Sequence, residues 1–260
     1  MKSYILITGA SSGIGYEMAQ QLAAKKFNLI LVARSGDVLK HMQVELSSIY
    51  GVDVQLIIMD LSVPENATKL FDTVKSQSLL VTHLVNNAGF GDYGSFLETS
   101  LDHEINMVNL NVISLMALSK LFAQDMVQRG SGRIMNVASL LSFIPFPYYS
   151  VYSATKTFVL AFSETIAAEL EDRGVVVTTL CPGIVETPFH TAGMRKTNAM
   201  SSNKAFSAKD VAAAGVELLL NGKGKKVVGF NNWFISNLPR ITPSAIMMKI
   251  KKNLASQSKS

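Results

Sequence analysis

Tyr152 and Lys156 stand four residues apart in Tyr152-Ser153-Ala154-Thr155-Lys156. On a helix that separation stacks a phenol and an ammonium about one turn apart on one face. A free phenol titrates near 10, too high for easy proton exchange at neutrality. A cation beside it stabilises the phenolate, so the spacing predicts a tyrosine of lowered pKa acting as an acid/base. Tyr148 and Tyr149 have Tyr152 and Ser153 at the same offset, so neither has the cation. Alone, such a pair is ordinary helix surface. Ser139, thirteen residues earlier, ends an apolar run and places a hydroxyl where it can polarise a carbonyl oxygen for hydride attack. Ser142 competes with it but falls further into the loop.

A hydride needs a carrier, and the N-terminal run Thr8-Gly9-Ala10-Ser11-Ser12-Gly13-Ile14-Gly15 has the features of a dinucleotide site. Gly9 allows a tight turn off a strand. Gly13 removes a side chain where a diphosphate approaches, and Gly15 lets the next helix pack close to the sheet. That helix start directs free N–H groups at the phosphates, with Ser11, Ser12 and Ile14 around them. The second apolar run, 29–33, ends in Ala33-Arg34-Ser35. An acidic residue near this point serves a ribose 2′-hydroxyl, whereas Arg34 suits a 2′-phosphate, so NADP(H) is expected over NAD(H). Asp60 and Leu61, after the third run, either bracket the adenine or, in the case of Asp60, cap the following helix.

These residues must be held by alternating elements. Short apolar runs occur at 4–8, 29–33, 54–59, 83–86, 132–138, 175–181 and 226–229. Between them, apolar residues recur at three- and four-residue spacing over 14–26, 104–128, 151–172 and 208–220. Strands apolar on both faces alternating with helices predict an α/β fold: a Rossmann-type, doubly wound, seven-stranded parallel sheet in one domain over 1–230.

Taken in order, Thr8-Gly-x-x-x-Gly-x-Gly15, Asn86-Asn87-Ala88-Gly89, Asn111, Ser139, Tyr152-x-x-x-Lys156 and Pro182-Gly183-x-Val185-x-Thr187 resemble the short-chain dehydrogenase/reductase family, in its compact single-domain branch. The resemblance covers residues 3 to about 230. It implies that Tyr152 is the acid/base, that Lys156 also holds the nicotinamide ribose, and that Ser139 orients the carbonyl. It implies further that Asn111 anchors a water in a proton relay, that Asn87, Ala88 and Gly89 stabilise the sheet and flank the ribose, and that Pro182, Gly183, Ile184 and Thr187 meet the nicotinamide. Homodimers or homotetramers through the helices at 104–128 and 151–172 are the implied assembly. Ser35 departs from the pattern, standing where many NADP-type members carry a second arginine.

Residues 188–209 form a breaker-rich stretch expected to cover the substrate, and Leu141, Phe146, Tyr149 and Met194 are expected to contact it. With Phe143 and Ile144 they give the pocket an apolar wall, suited to a 3-oxoacyl, steroid-like or xenobiotic ketone. A non-catalytic NADP(H) sensor or scaffold is the alternative, though it has no use for Ser139, Tyr152 and Lys156. An epimerase normally carries a further substrate domain, and a methyltransferase gives the Tyr/Lys pair no role.

The bulk properties agree. The 260 residues are 48% hydrophobic and 17% charged, a globular composition with room for a sizeable core. A single cysteine, Cys181, precludes an internal disulfide and fits a reducing, cytoplasmic setting. No run approaches the ~20 uninterrupted apolar residues of a spanning helix, and the N-terminal run is too short for a signal peptide. No metal site is expected. The net charge of +5 is uneven: after Glu217 there is no acid, and Lys223, Lys225, Lys226, Arg240, Lys249, Lys251, Lys252 and Lys259 give +8, leaving −3 on the body. Without aromatic interleaving this is not a nucleic-acid signature. The basic, amphipathic extension 231–260 could lie on an anionic membrane, pack on a neighbouring subunit or cover the lid.

Overall fold

The strands form where β-branched and leucine-rich runs can bury both faces. They are Ser3–Thr8 (β1), Asn28–Ala33 (β2), Val54–Ile58 (β3), Leu80–Asn86 (β4), Gly132–Val137 (β5) and Val175–Cys181 (β6), followed by the short Val185–Glu186 (β7) and Phe206–Ser207 (β8), and by Gly224–Val227 (β9). The computed structural model describes residues 2–202, 204–240 and 242–256; residue 203 of the expected lid and residues 241 and 257–260 of the tail, Lys259 among them, lie outside it. Among the described residues, seven strands pair in parallel in the order β3-β2-β1-β4-β5-β6-β9, and β7 pairs with β8 apart from them. The order reverses between β1 and β4, so a crevice opens at their carboxyl ends, where ligands of such sheets bind.

The helices are Gly13–Ala24 (α1), Gly36–Tyr50 (α2), Glu65–Ser76 (α3), Leu101–Val108 (α4), Leu115–Gln128 (α5), Ser150–Leu170 (α6), Ala192–Arg195 (α7), Asn198–Ser202 (α8), Ala208–Asn221 (α9), Phe230–Asn237 (α10) and Ser244–Ala255 (α11). Strand alternation distributes them over two layers. Ile5, Ile7, Leu29 and Leu31 point to the side where α1, α2 and α9 supply Met18, Leu22, Leu46 and Leu219. Leu6, Ile30, Leu84 and Ile134 point the other way, against Leu70, Leu118, Phe122 and Met126 of α3 and α5. Each such side chain contributes ~1.5–3 kcal/mol by leaving water.

Helices α2 and α3 are additions to the four segments seen in the sequence. In α2 the inward period of Leu39, Met42 and Leu46 is blurred by Val38, Val44 and Ile49, which stay exposed, while α3 buries Ala67, Leu70 and Val74. The last strand ends at Val227, earlier than the expected 229, because Gly229, at φ +90°, turns the chain into α10. Leu101–Gln128 is long and apolar enough to cross a membrane by length and composition. One of its faces packs into the sheet through Leu118, Phe122 and Met126, as expected of a core-facing helix. Between α4 and α5, residues Asn109–Ser114 form a π-helical turn. Such a turn re-aims the helix at a chosen point, and here it directs Asn111 and Ser114 inward.

His83 on β4 meets the ring of Phe27 edge-on, with centroids 6.2 Å apart. Burial pushes its pKa down to about 4, and nearby Arg133 adds to the effect. Between about 4 and the ordinary 6.5 the unfolded chain binds a proton that the folded one refuses, so stability falls as pH drops through this window. The loss approaches ~3 kcal/mol at pH 4. Urea midpoints at pH 7 and 4.5 should therefore differ more for the native chain than for His83→Gln; equal differences would remove His83 from the account.

Candidate active site

The turn after β1 is latched to the end of β4. The Thr8 hydroxyl accepts hydrogen bonds from the backbone N–H groups of Asn87 and Ala88, each at 3.0 Å, and donates to Val85 O. Asn87 Nδ2 donates back to Thr8 O at 2.9 Å and to Gly9 O at 3.2 Å. The switch point is thereby pinned across β1 and β4 by side chains as well as by the ladder. Gly9 and Gly13 have φ near +60°, and a Cβ on Gly13 would come within 3.0 Å of Thr187 Cγ2. Thr187 thus lies over the glycine turn, 174 residues away in sequence. Among the described residues the α1 N-cap Ser12 makes no side-chain cap, so the first N–H groups of α1 are left to the crevice.

Arg34 follows β2 and pairs with Asp60 at 3.6 Å, the arginine largely open to water and the aspartate partly buried. Asp60 also accepts from Ser62 N and Oγ at 2.9 and 2.8 Å. It therefore orders its own loop and stays beside the cation that would meet a 2′-phosphate; it does not cap the next helix, since α3 has Pro64 at its N-cap and, among the described residues, no side-chain cap. Ser35 and Leu61 border the same recess.

Behind the site runs a buried polar belt that the sequence did not reveal. Asn86 Nδ2 donates to Asn136 Oδ1 and Ser119 Oγ, and Asn136 Nδ2 donates to Ser163 Oγ. Asn111 is fully buried. Its Nδ2 donates to Phe90 O at 2.9 Å and to Thr155 Oγ1 at 3.1 Å, and its Oδ1 accepts from Phe90 N at 3.1 Å. The amide is a strut tying the chain after Gly89 to α6, one helical turn from Tyr152. A Cβ on Gly89 would stand 2.9 Å from Asn111 Oδ1, which accounts for the glycine.

Ser139 and Ser142 separate cleanly. Ser142 Oγ donates to Lys156 O at 2.7 Å and accepts from Ser139 N, so it braces the loop. Ser139 Oγ accepts from Leu141 N at 3.1 Å and is hydrogen-bonded to the Tyr152 hydroxyl. Tyr148, at φ +65°, turns the chain into α6 and so sets the direction of Tyr152.

Tyr152 and Lys156 are both buried. Burial pushes the phenol up to about 12, with the Ser139 hydrogen bond pulling the other way. Burial also lowers the Lys156 ammonium to about 8, and its Nζ donates to Val137 O at 2.8 Å. The expectation that Lys156 acidifies Tyr152 is therefore not met by the protein's own groups: burial raises the phenol, and the opposing pull comes from Ser139, not from the lysine. At neutral pH the pair is a neutral phenol beside a charged lysine, which is a proton donor and a hydrogen-bond donor.

Beyond Tyr152, Phe189 lies with its ring 5.6 Å away, and Met194, Met107 and Tyr149 close an apolar cluster with Leu141 and Phe146 at its edge. Burial raises Tyr149 to about 12, and its hydroxyl is hydrogen-bonded to Thr197. Among the described residues, the expected lid holds α7, α8 and β8. The tail docks on it: Asn198 N and Nδ2 donate to Ser256 O and Asn253 O, and Tyr93 OH donates to Ala255 O at 2.9 Å. Of the three expectations for the extension, covering the lid is what the fold shows.

One cavity of about 1100 Å³ joins the glycine turn to the apolar cluster. Gly9, Ser11, Ser12, Gly13, Ile14, Arg34, Ser35, Asp60, Leu61, Asn87, Ala88 and Gly89 line one end. Ser139, Tyr152, Lys156, Pro182, Gly183, Ile184 and Thr187 line the middle, and Leu141, Phe146, Tyr149 and Met194 the far wall. Gly15 and Asn111 do not line it and act from behind, and Phe143, expected in the apolar wall, instead packs against the cluster of Leu115, Val159 and Leu160 with Lys225 over its ring. Phe189, Thr197 and Ile235 also line it and went unnamed as site residues, since single residues far from the catalytic motifs in sequence carry no spacing signal.

Residues 3–198 match the model of the short chain dehydrogenase family. A very-long-chain 3-oxoacyl-CoA reductase from Macaca fascicularis is 31% identical over 258 residues, which is 96% of this chain and 79% of the relative. The human enzyme of the same name is 30% identical over 267 residues, 96% and 84% of the two chains. Among solved structures, a short-chain dehydrogenase from Sphingobium yanoikuyae in complex with NADPH superposes with a TM-score of 0.81 at 26% identity, covering 94% of this chain and 98% of that one. A 7beta-hydroxysteroid dehydrogenase shares the fold with a TM-score of 0.84 at 21% identity, over 96% of each chain. Family match, fold and site converge: the chain belongs to the short-chain dehydrogenase family and is an NAD(P)-dependent oxidoreductase acting on CH–OH groups.

Proposed function

We propose that this enzyme uses NADP(H) to interconvert an apolar ketone and its secondary alcohol, with a 3-oxoacyl thioester as the best-fitting substrate class. The observation that carries the reading is the continuity of one cavity from the glycine turn, past Ser139, Tyr152 and Lys156, to the wall of Tyr149, Met194 and Phe189. The dinucleotide fits the residues present: glycines without Cβ atoms at the turn, uncapped N–H groups at α1, and Arg34 after β2 with Ala33 where an acid would repel a 2′-phosphate. When bound, NADPH supplies the hydride. Lys156, with one proton engaged on Val137 O, keeps two for ribose hydroxyls. Ser139 Oγ, already accepting from Leu141 N, turns its hydrogen from the Tyr152 oxygen to the carbonyl oxygen when substrate enters. The neutral phenol of Tyr152 gives that oxygen its proton as the alkoxide forms. The apolar wall excludes water and favours a chain over a sugar. The relatives named for 3-oxoacyl-CoA reduction support the thioester class.

Assembly as a homodimer or homotetramer, in a reducing cytoplasm that keeps Cys181 as a thiol, belongs to the same proposal. Exposed Leu101, Ile105, Met116 and Phe158 on α4, α5 and α6 support subunit contact there.

The test is turnover of a panel of 3-oxoacyl thioesters, bulky ketones and keto-sugars with NADPH and NADH, followed at the nicotinamide absorbance. Turnover of the thioesters well above the sugars is expected, and the reverse order overturns the substrate class. Arg34→Ala should raise the KM for NADPH by ~10- to 100-fold, the value of charge-assisted bonds to a phosphate, with little change for NADH. Equal effects on both cofactors would remove Arg34 from 2′-phosphate recognition.

A further inference from the structure

The exposed aromatic residues of the C-terminal segment do not face the cavity. In α10, Asn231, Asn232 and Ile235 line the cavity, whereas Phe230, Trp233 and Phe234, at i, i+3 and i+4, form an outward stripe and are 78%, 53% and 54% exposed. Phe230 and Trp233 stack, with centroids 5.9 Å apart. In α11, Leu254 borders the same cavity and Met247 is buried, while Ile246, Met248 and Ile250 are exposed beside Lys249 and Lys252. Large apolar side chains grouped on an outer surface mark a partner.

Charge identifies the partner. Residues 218–260 contain eight cations and no acid. Lys223 and Lys225 pair with Glu171 and Glu164, but among the described residues no carboxylate lies within ion-pair distance of Lys249, Lys251 or Lys252. A second copy meeting this face about a two-fold axis would set these cations against their own images. An anionic bilayer surface instead takes the lysines at its headgroups and the aromatic side chains just below them. We propose that α10 and α11 seat the enzyme peripherally on an anionic lipid surface. The inner faces of both helices border the substrate cavity, so an apolar substrate dissolved in the bilayer would reach it without crossing water. Lipid seating goes beyond the carbonyl chemistry and does not depend on it.

Trp233 is the chain's single tryptophan, so its emission reports on this patch alone. The full-length enzyme is titrated with phosphatidylglycerol/phosphatidylcholine vesicles and with phosphatidylcholine vesicles, following emission and co-sedimentation. A blue shift and sedimentation with the anionic vesicles, reversed by salt, are expected. Lys249→Glu combined with Lys252→Glu should weaken partition by tenfold or more, and so should Phe230→Ser with Phe234→Ser. Both double variants should keep the native turnover of a water-soluble ketone, which separates loss of seating from loss of fold or of chemistry. No shift with anionic vesicles overturns the proposal. So does equal binding to the zwitterionic ones, or a native dimer that the Phe230→Ser, Phe234→Ser variant dissociates, which would assign the face to a second copy.

Discussion

Tyr152→Phe should bind NADPH within about twofold of the native affinity and lose ~10³-fold or more in kcat, the range a positioned proton donor commands. The ring survives the change, so its packing on Phe189 and Met194 persists, and the lost hydroxyl leaves Ser139 Oγ free to turn toward substrate. Stability should fall by only about 1 kcal/mol, the scale of one buried hydrogen bond. The pH profile carries the second half of this prediction. Burial places Lys156 at about 8 and Tyr152 at about 12. Below about 8 the lysine is charged and the phenol protonated, so reduction has both donors. As pH rises through about 8 the lysine loses its proton while the phenol keeps its own. The value of kcat/KM for ketone reduction should therefore be level from pH 6 to 7.5 and fall toward tenfold per unit above about 8. A Phe variant of native activity, or a profile level to pH 10, would remove this pair from the chemistry.

What the sequence made legible was whatever a residue type enforces by itself. Glycines at 9, 13 and 15 after an apolar run have few uses other than a phosphate turn, and Ala33-Arg34 carries its charge logic in two letters. Spacing placed Tyr152 and Lys156 on one face. Depth was not legible: four residues along α6 say nothing of how much water reaches the phenol, and burial reverses the expected direction of its pKa. Asn111 was singled out, but its work as a strut between Phe90 and Thr155 depends on a π-helical turn that no residue in 109–114 announces. The Thr8 latch joins residues 79 and 80 positions apart and leaves no local pattern. Exposed Val38, Val44 and Ile49 blurred the period of α2, and the docking of α11 on α8 is set by backbone acceptors of residues 253 and 256, which any sequence supplies.

Gly15→Ala sets two known effects against each other. Gly15 lies inside α1, where alanine is favoured over glycine by about 1 kcal/mol on helix propensity. The added Cβ would overlap the carbonyl oxygen of Gly9 and stand 2.5 Å from Asn87 Nδ2. Neither neighbour can retreat, because Asn87 Nδ2 is held on Thr8 O and Gly9 O and the Gly9 carbonyl belongs to the turn itself. Forcing α1 outward breaks this latch and exposes part of the Met18 and Leu22 contact with the sheet, together about 3 kcal/mol. The clash wins over propensity. The melting temperature should drop by ~4–8 °C for a chain of this size, and NADPH affinity by tenfold or more, since the same turn meets the phosphates. Gly51→Ala is the control: it replaces a glycine at a positive φ, +66°, that opens onto free space. It should bring only the backbone strain, about 1–2 kcal/mol, and leave cofactor affinity at the native value. If Gly15→Ala proved more stable than the native chain, propensity would outrank close packing here, and the glycine would have to be explained by the ligand alone.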